Sequence, residues 1–142
     1  MRVLLDTNIL MTYLSGRDER YSSECEQIVQ MCASEKIEGV VAFHSLSTIW
    51  YLTRKAPEKL RRGYIKRICL LCTIAGADNE AVLKAIENET FLDFEDALQD
   101  CCAAEADCDF IITANGKDFI GHSLVSVKSP DEFIAMVSHK QA

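Results

Sequence analysis

Short apolar runs alternate with longer amphipathic stretches along this chain, and that alternation predicts most of its elements. Val3–Leu5 is an apolar run ending at Asp6, too short for a helix and suited to a buried strand. Residues 22–35 repeat apolar positions at helical spacing (Cys25, Ile28, Val29, Cys32), with Ser22 and Ser23 as candidate caps. Gly39 punctuates, Val40–Phe43 reads as a second strand, and a helix follows from about Ser45 to Lys55 on Leu46, Ile49, Trp50 and Leu52. After Pro57 a basic amphipathic helix covers about 58–72, with a short strand near Cys72–Ile74. Ala75, Gly76 and Asp78 mark a turn before helices near 79–88 and 94–105. Phe110–Thr113 and Leu124–Val127 are strand-like, and Pro130 opens a last helix behind Ser129.

Strands and helices in this order predict a mostly parallel sheet covered by helices on both faces. No linker interrupts the pattern, so the expectation is one α/β domain over 1–142, with its core at about 1–138. Ligands of such sheets bind outside the carboxyl ends of the strands. Two polar clusters fall at those ends: Asp6-Thr7-Asn8 and Thr113-Ala114-Asn115.

Helix 94–105 adds a third. Phe94, Ala97, Leu98 and Cys101 make its apolar stripe, which leaves Asp96, Gln99 and Asp100 on the opposite, polar side. Carboxylates four apart repel by roughly 0.2–0.5 kcal/mol on an isolated helix. A cation shared with Asp6 reverses that sign. Oxygen donors without thiolate or imidazole suit hard ions such as Mg²⁺ or Mn²⁺.

Composition adds little, since 49% hydrophobic and 26% charged residues are ordinary for a globular chain. Asp6 and Asn8 interrupt the apolar start MRVLLDTNILMTYL, so it reads as neither a signal peptide nor a membrane span. The expected location is the cytoplasm. Seven cysteines, an odd number spread over helical patterns, argue against a disulfide framework. Cys69 and Cys72 form a CxxC without a second pair at zinc spacing, and they read as small buried apolar residues. His44, His122 and His139 are isolated.

The net charge is −7, yet the basic residues are not evenly spread. Arg54, Lys55, Lys59, Arg61, Arg62, Lys66 and Arg67 stand against one acid, Glu58, whereas the carboxylates crowd between Asp78 and Asp109. An acidic pocket beside a basic strip suits an enzyme acting on a polyanion; a solvated helix face is the plainer use of the same residues. Trp50 and Tyr51 suit core packing or a dimer contact, with base stacking as the other use.

VLLDTNIL at 3–10, DFEDALQ at 93–99 and IITANGKDF at 111–119 together resemble the three signature segments of PIN-domain proteins. The resemblance covers nearly the whole chain, including VSVKSPDEF at 125–133, and is nearest to VapC-like toxins and related bacterial PIN-like proteins. It implies an α/β/α sandwich and a Mg²⁺- or Mn²⁺-dependent ribonuclease. In that reading Asp6 matches the first acid and Asp96 the acid of the later helix. Asn115 matches a position held by Asp or Asn, and Asp118 lies just beyond. The implied mechanism is in-line attack by metal-activated water on phosphorus. The resemblance also implies a small antitoxin partner and a homodimer.

One segment departs from the family. Its usual Glu on the helix after the second strand has no counterpart in HSLSTIWYLTRK, where Thr48 takes the position. That removes one charge and up to two oxygen ligands, which weakens metal binding and argues against a two-metal site. Glu95, Asp100 and Asp118 are the acids available to compensate. The alternative reading is a PIN-fold module that binds RNA or protein without cutting. A phosphatase using Asp6 as nucleophile wants a second Asp two residues on, where Asn8 stands.

Overall fold

The computed structural model describes residues 1–119 and 121–140. Its elements run β1 (Arg2–Leu5), α1 (Thr7–Ser15), α2 (Ser22–Ala33), β2 (Glu38–Ala42), α3 (Phe43–Leu52), α4 (Glu58–Leu71) and β3 (Cys72–Ala75), then α5 (Asn79–Glu87), α6 (Phe94–Glu105), β4 (Phe110–Ile112), β5 (Ser126–Lys128) and α7 (Pro130–Lys140). A single 3₁₀ turn, Gly116–Asp118, follows β4.

The strands form one sheet in the order β3-β2-β1-β4-β5. Every pairing is parallel: the expected fold class holds, with a sheet that is parallel throughout rather than mostly. Side chains of a strand alternate between faces, and β1 shows the result. Val3 and Leu5 join Val41, Ile112, Ile28, Ile49, Ile68 and Phe133 on one side of the sheet. Leu4 joins Val40, Ala42, Ala97, Ile111 and Phe119 on the other. Helices α1–α4 and α7 therefore cover the first face, and α5 and α6 the second. Val3, Leu4 and Leu5 are fully buried, and each such side chain contributes about 1.5–3 kcal/mol.

Three local differences from the sequence reading have clear causes. Thr7–Ser15 is a helix that the pattern left unassigned, because its polar Thr7 and Asn8 hide an apolar set at Ile9 and Leu10. Gly39 lies inside β2 instead of ending an element; a methyl there would sit 2.6 Å from Cys32 Sγ, so only glycine lets α2 approach. Helix α2 is preceded by Tyr21 in the left-handed region (φ 66°), not capped by a serine side chain. At α7, Ser129 and Glu132 form a reciprocal capping box, with Ser129 N–H donating to Glu132 Oε2 (3.0 Å) and Glu132 N–H to Ser129 Oγ (3.4 Å).

Cys72 is half-buried and Cys69 exposed, so the reading of both as core residues fails for Cys69. All seven thiols are free. Among the described residues no helix is long and apolar enough to cross a membrane.

Candidate active site

In the order β3-β2-β1-β4-β5 the chain direction across the sheet reverses between β1 and β4. A crevice opens outside the carboxyl ends of those two strands. Asp6 is the residue after β1 and Thr113 the residue after β4. They are tied together: Asp6 N–H donates to Ile112 O (3.0 Å), and Thr113 Oγ1 donates to Asp6 Oδ2 (2.7 Å).

Asp6 is 5% exposed and caps α1, its Oδ1 accepting from Thr7 N–H (2.8 Å). Asn8 Nδ2 donates to Asp6 Oδ2 (3.1 Å) and Thr113 Oγ1 (3.2 Å), while Asn8 Oδ1 accepts from Ala114 N–H (3.1 Å). Thr113 Oγ1 also accepts from Asn115 N–H (3.1 Å). One hydroxyl and one amide thus lock the two strand ends. Deeper in, Gln99 Nε2 donates to Ser45 Oγ (2.7 Å) and Thr7 Oγ1 (3.2 Å), joining α6, α3 and α1 beneath the crevice.

Above this floor lies a cavity of about 540 Å³. Asp6, Asp96, Asn115 and Asp118 all line it, arriving from β1, α6, the turn after β4 and the 3₁₀ turn. Glu95 lines it too, as does Thr48, with no carboxylate to offer. Two acids that sequence reasoning missed complete the lining, Glu19 and Asp93. Asp93 is the N-cap of α6, accepting from Glu95 N–H (2.9 Å). Glu19 comes from the α1–α2 connection and accepts from Ser15 Oγ (3.1 Å). Neither belongs to an apolar run or a polar cluster at a strand end. An Asp at the cap position followed by Glu95 and Asp96 in the first turn was a usable signal for Asp93; nothing local marked Glu19.

Asp100 is the exception. The sequence reading placed it with Gln99 on the polar side of α6, near Asp96. The structure buries both, Asp100 at 2% exposure and Gln99 at 0%, while Phe94 of the supposed core stripe is 48% exposed. Asp100 Oδ1 accepts from Ser123 Oγ and Leu124 N–H (2.9 Å), and Oδ2 from Leu124 N–H (3.1 Å). Its carboxylate pins the turn before β5 and does not reach the acidic cavity. Periodicity assumes that polar side chains seek water; here buried hydrogen bonds hold the Asp100 carboxylate and Gln99 Nε2 instead, while Gln99 Oε1 has no partner among the described residues.

Among the described residues no Lys, Arg or His lines the cavity. Six carboxylates face one another there, and the electrostatics record it. Asp96 is pushed up to about 7, first by burial and then by Asp6, Asp93, Asp118 and Glu95. Asp6 is also raised, by burial and by Glu95, although hydrogen bonds from Thr113, Thr7 and Asn8 oppose the shift. His44, beside α6, is lowered by burial and opposed by Glu95. Among the described residues no three acidic, histidine or cysteine side chains are grouped tightly enough to enclose an ion as they stand. The donor set nonetheless fits a hard divalent cation: it is all oxygen, it is uncompensated, and it includes the amides of Asn8 and Asn115.

The PIN domain family model matches residues 2–117. No curated protein matches the chain in sequence. Solved structures match it in fold. VapBC2 from Rickettsia felis, bound to a DNA fragment from its promoter, superposes with a TM-score of 0.70 at 14% identity, covering 91% of this chain and 98% of that one. A toxin–antitoxin complex from Klebsiella pneumoniae gives 0.66 at 22% identity, covering 90% and 97%. VapC20 of Mycobacterium tuberculosis, a toxin that cleaves the sarcin–ricin loop, gives 0.59 at 13% identity, covering 82% and 92%. With the family model spanning most of its length and its parallel sheet shared with these toxin structures, the chain belongs to the PIN-domain family.

Proposed function

We propose that the chain is a metal-dependent endoribonuclease of the VapC-like kind, hydrolysing phosphodiester bonds in RNA. The observation that supports this most is the uncompensated acidic cavity at the switch point of the sheet, lined by Asp6, Asp96, Asn115 and Asp118 from separate stretches of chain. Carboxylates assembled at a cost, with no basic residue to balance them, call for a cation from solution. Asp6 and Asp96 would hold Mg²⁺ or Mn²⁺, with Asn115 and Asp118 at the rim. Such an ion supplies the charge that activates water and polarises a phosphoryl oxygen.

The chain's own residues do the rest. Thr113 and Asn8 both bond Asp6 Oδ2 and fix its orientation, which leaves Oδ1, bonded once by Thr7 N–H, as the oxygen with capacity for a cation. In the metal-free chain Asp96 keeps its proton up to about pH 7, and a bound cation would displace that proton. Met11 and Leu52 add apolar surface to the wall of the cavity. Two of the structural neighbours are toxin–antitoxin complexes, and we extend that arrangement to this chain: a small antitoxin as partner, and self-association as a dimer. Leu83, Ile86, Leu92 and Leu124 are exposed apolar side chains that such partners would cover. The seven free thiols suit the cytoplasm.

Thr48 favours a second reading. The cavity lacks a carboxylate where the family resemblance calls for Glu, and a module that binds without cutting fits that loss. Labelled single-stranded RNA incubated with Mn²⁺ or Mg²⁺ separates the two. The nuclease reading expects cutting that EDTA stops and that Asp6→Asn and Asp96→Asn each abolish. RNA left whole at every metal concentration gives the second reading its case.

A further inference from the structure

We propose that the outer stripe of α4, with Tyr51 and Arg54 at the end of α3, is the track on which single-stranded RNA lies as it enters the acidic cavity. This rests on the nuclease reading and adds the surface that holds the substrate. The charges of the cavity and the substrate conflict. A cavity with six carboxylates repels the polyanion it is meant to cut, and the chain as a whole carries −7. Positive charge must be supplied beside the cavity, outside it.

One surface provides it. Lys59, Arg62 and Lys66 recur at i, i+3 and i+7 along α4, so they share one face over about 10 Å. All three are exposed, as is Lys55 just ahead of the helix. The only acid among them, Glu58, is taken by Arg62 at 2.7 Å, and among the described residues neither Lys55, Lys59, Lys66 nor Arg54 has an ion-pair partner. Ile68 of α4 is fully buried and Ile65 packs against the same core, which leaves the Lys59–Lys66 face to solvent.

Helix α3 touches both the cavity and α4. Thr48 and Leu52 form part of the cavity wall, and Tyr51 is the residue beside Leu52. Its ring is 61% exposed, with the Arg54 guanidinium 4.3 Å from its centroid. Arg61 lies 3.7 Å over Trp50 and bonds the Trp50 carbonyl, fixing α4 against α3. A flat exposed ring backed by a guanidinium, with Lys55, Lys59 and Lys66 unpaired behind it among the described residues, matches how single strands are held: base on aromatic, phosphates on cations. A duplex offers no free base face to Tyr51.

The test uses the full-length protein, a fluorescein-labelled single-stranded RNA and EDTA to prevent cutting, with anisotropy read across a salt series. Each phosphate contact on a single strand contributes about 0.7 to the slope of log K against log salt. Lys59→Gln with Lys66→Gln should lower the slope by about 1.4 and weaken binding roughly tenfold at low salt. Lys36→Gln with Lys140→Gln, an equal loss of charge elsewhere, should change neither. Tyr51→Ala should weaken binding roughly tenfold while Tyr51→Phe restores it. Equal effects from the two lysine pairs, or no effect from the stripe pair, overturn the proposal. An acidic protein segment as the true occupant would produce the second of those results. RNA bound alike by wild type and stripe variant overturns the track alone; RNA neither bound in EDTA nor cut with metal overturns the nuclease reading as well.

Discussion

Thr113 Oγ1 lies 2.7 Å from Asp6 Oδ2, joining the ends of two neighbouring strands through one buried hydroxyl. Donating there obliges Thr113 to accept from Asn8 and Asn115, so the hydroxyl orders the whole crevice floor. Thr113→Val keeps the shape and removes the bonds. We expect a loss of about 1–3 kcal/mol in urea unfolding and Mn²⁺ affinity weakened on the order of tenfold by calorimetry. Thr113→Ser should keep most of both.

Asp96 and Asp100 are one helical turn apart and should behave as opposites. Asp100 is buried and holds the Ser123–Leu124 turn. Asp100→Asn puts an amide N–H₂ against donors and should cost about 1–3 kcal/mol, leaving Mn²⁺ affinity within about twofold, since the error of such comparisons is a few tenths of a kcal/mol. Asp96→Asn removes a repelled charge. It should raise the melting temperature of the metal-free protein by about 2–4 °C, a modest gain because the half-exposed group is partly screened, while abolishing metal binding.

The pH dependence follows from the same groups. Asp96 titrates at about 7 in the folded chain against 3.8 when unfolded. Between those values the folded state keeps a proton that the unfolded state has lost, so stability falls as pH rises from about 4 to about 7 and then levels. Metal-free protein should melt higher at pH 5.5 than at pH 8, and Asp96→Asn should flatten the difference. Mn²⁺ competes with that proton, so its affinity should rise with pH and plateau above pH 7.

Thr48 stands in the cavity wall without a charge. Thr48→Glu returns a carboxylate to the site. Metal-free protein should then melt lower, metal-loaded protein higher, and Mn²⁺ affinity should rise roughly tenfold by calorimetry. A rise in RNA cutting alongside would explain the departure from the family pattern as a tuning of metal affinity.

Much of the fold was legible because its strands are short apolar runs between amphipathic helices, which a parallel sheet requires. The places of Asp6 and Asn115 at the cavity were legible for a related reason, since strand ends position ligands whatever the chemistry; Asp96 and Asp118 were assigned there only through the family resemblance. What stayed hidden depended on contacts distant in sequence. Asp100 and Gln99 read as surface residues until their buried partners Ser123, Leu124 and Ser45 came into view. Glu19 reaches the cavity only because the α1–α2 connection folds back past Ser15. Helix α1 was missed because its polar Thr7 and Asn8 serve the crevice floor and break the apolar pattern.

Isothermal titration of EDTA-stripped protein with Mn²⁺ at pH 8, compared with Asp6→Asn and Asp96→Asn, tests the central claim most directly. The expected result is saturable binding that both substitutions remove while each variant still melts cooperatively. Wild-type protein that binds no Mn²⁺, or binding that survives both substitutions unchanged, would contradict it.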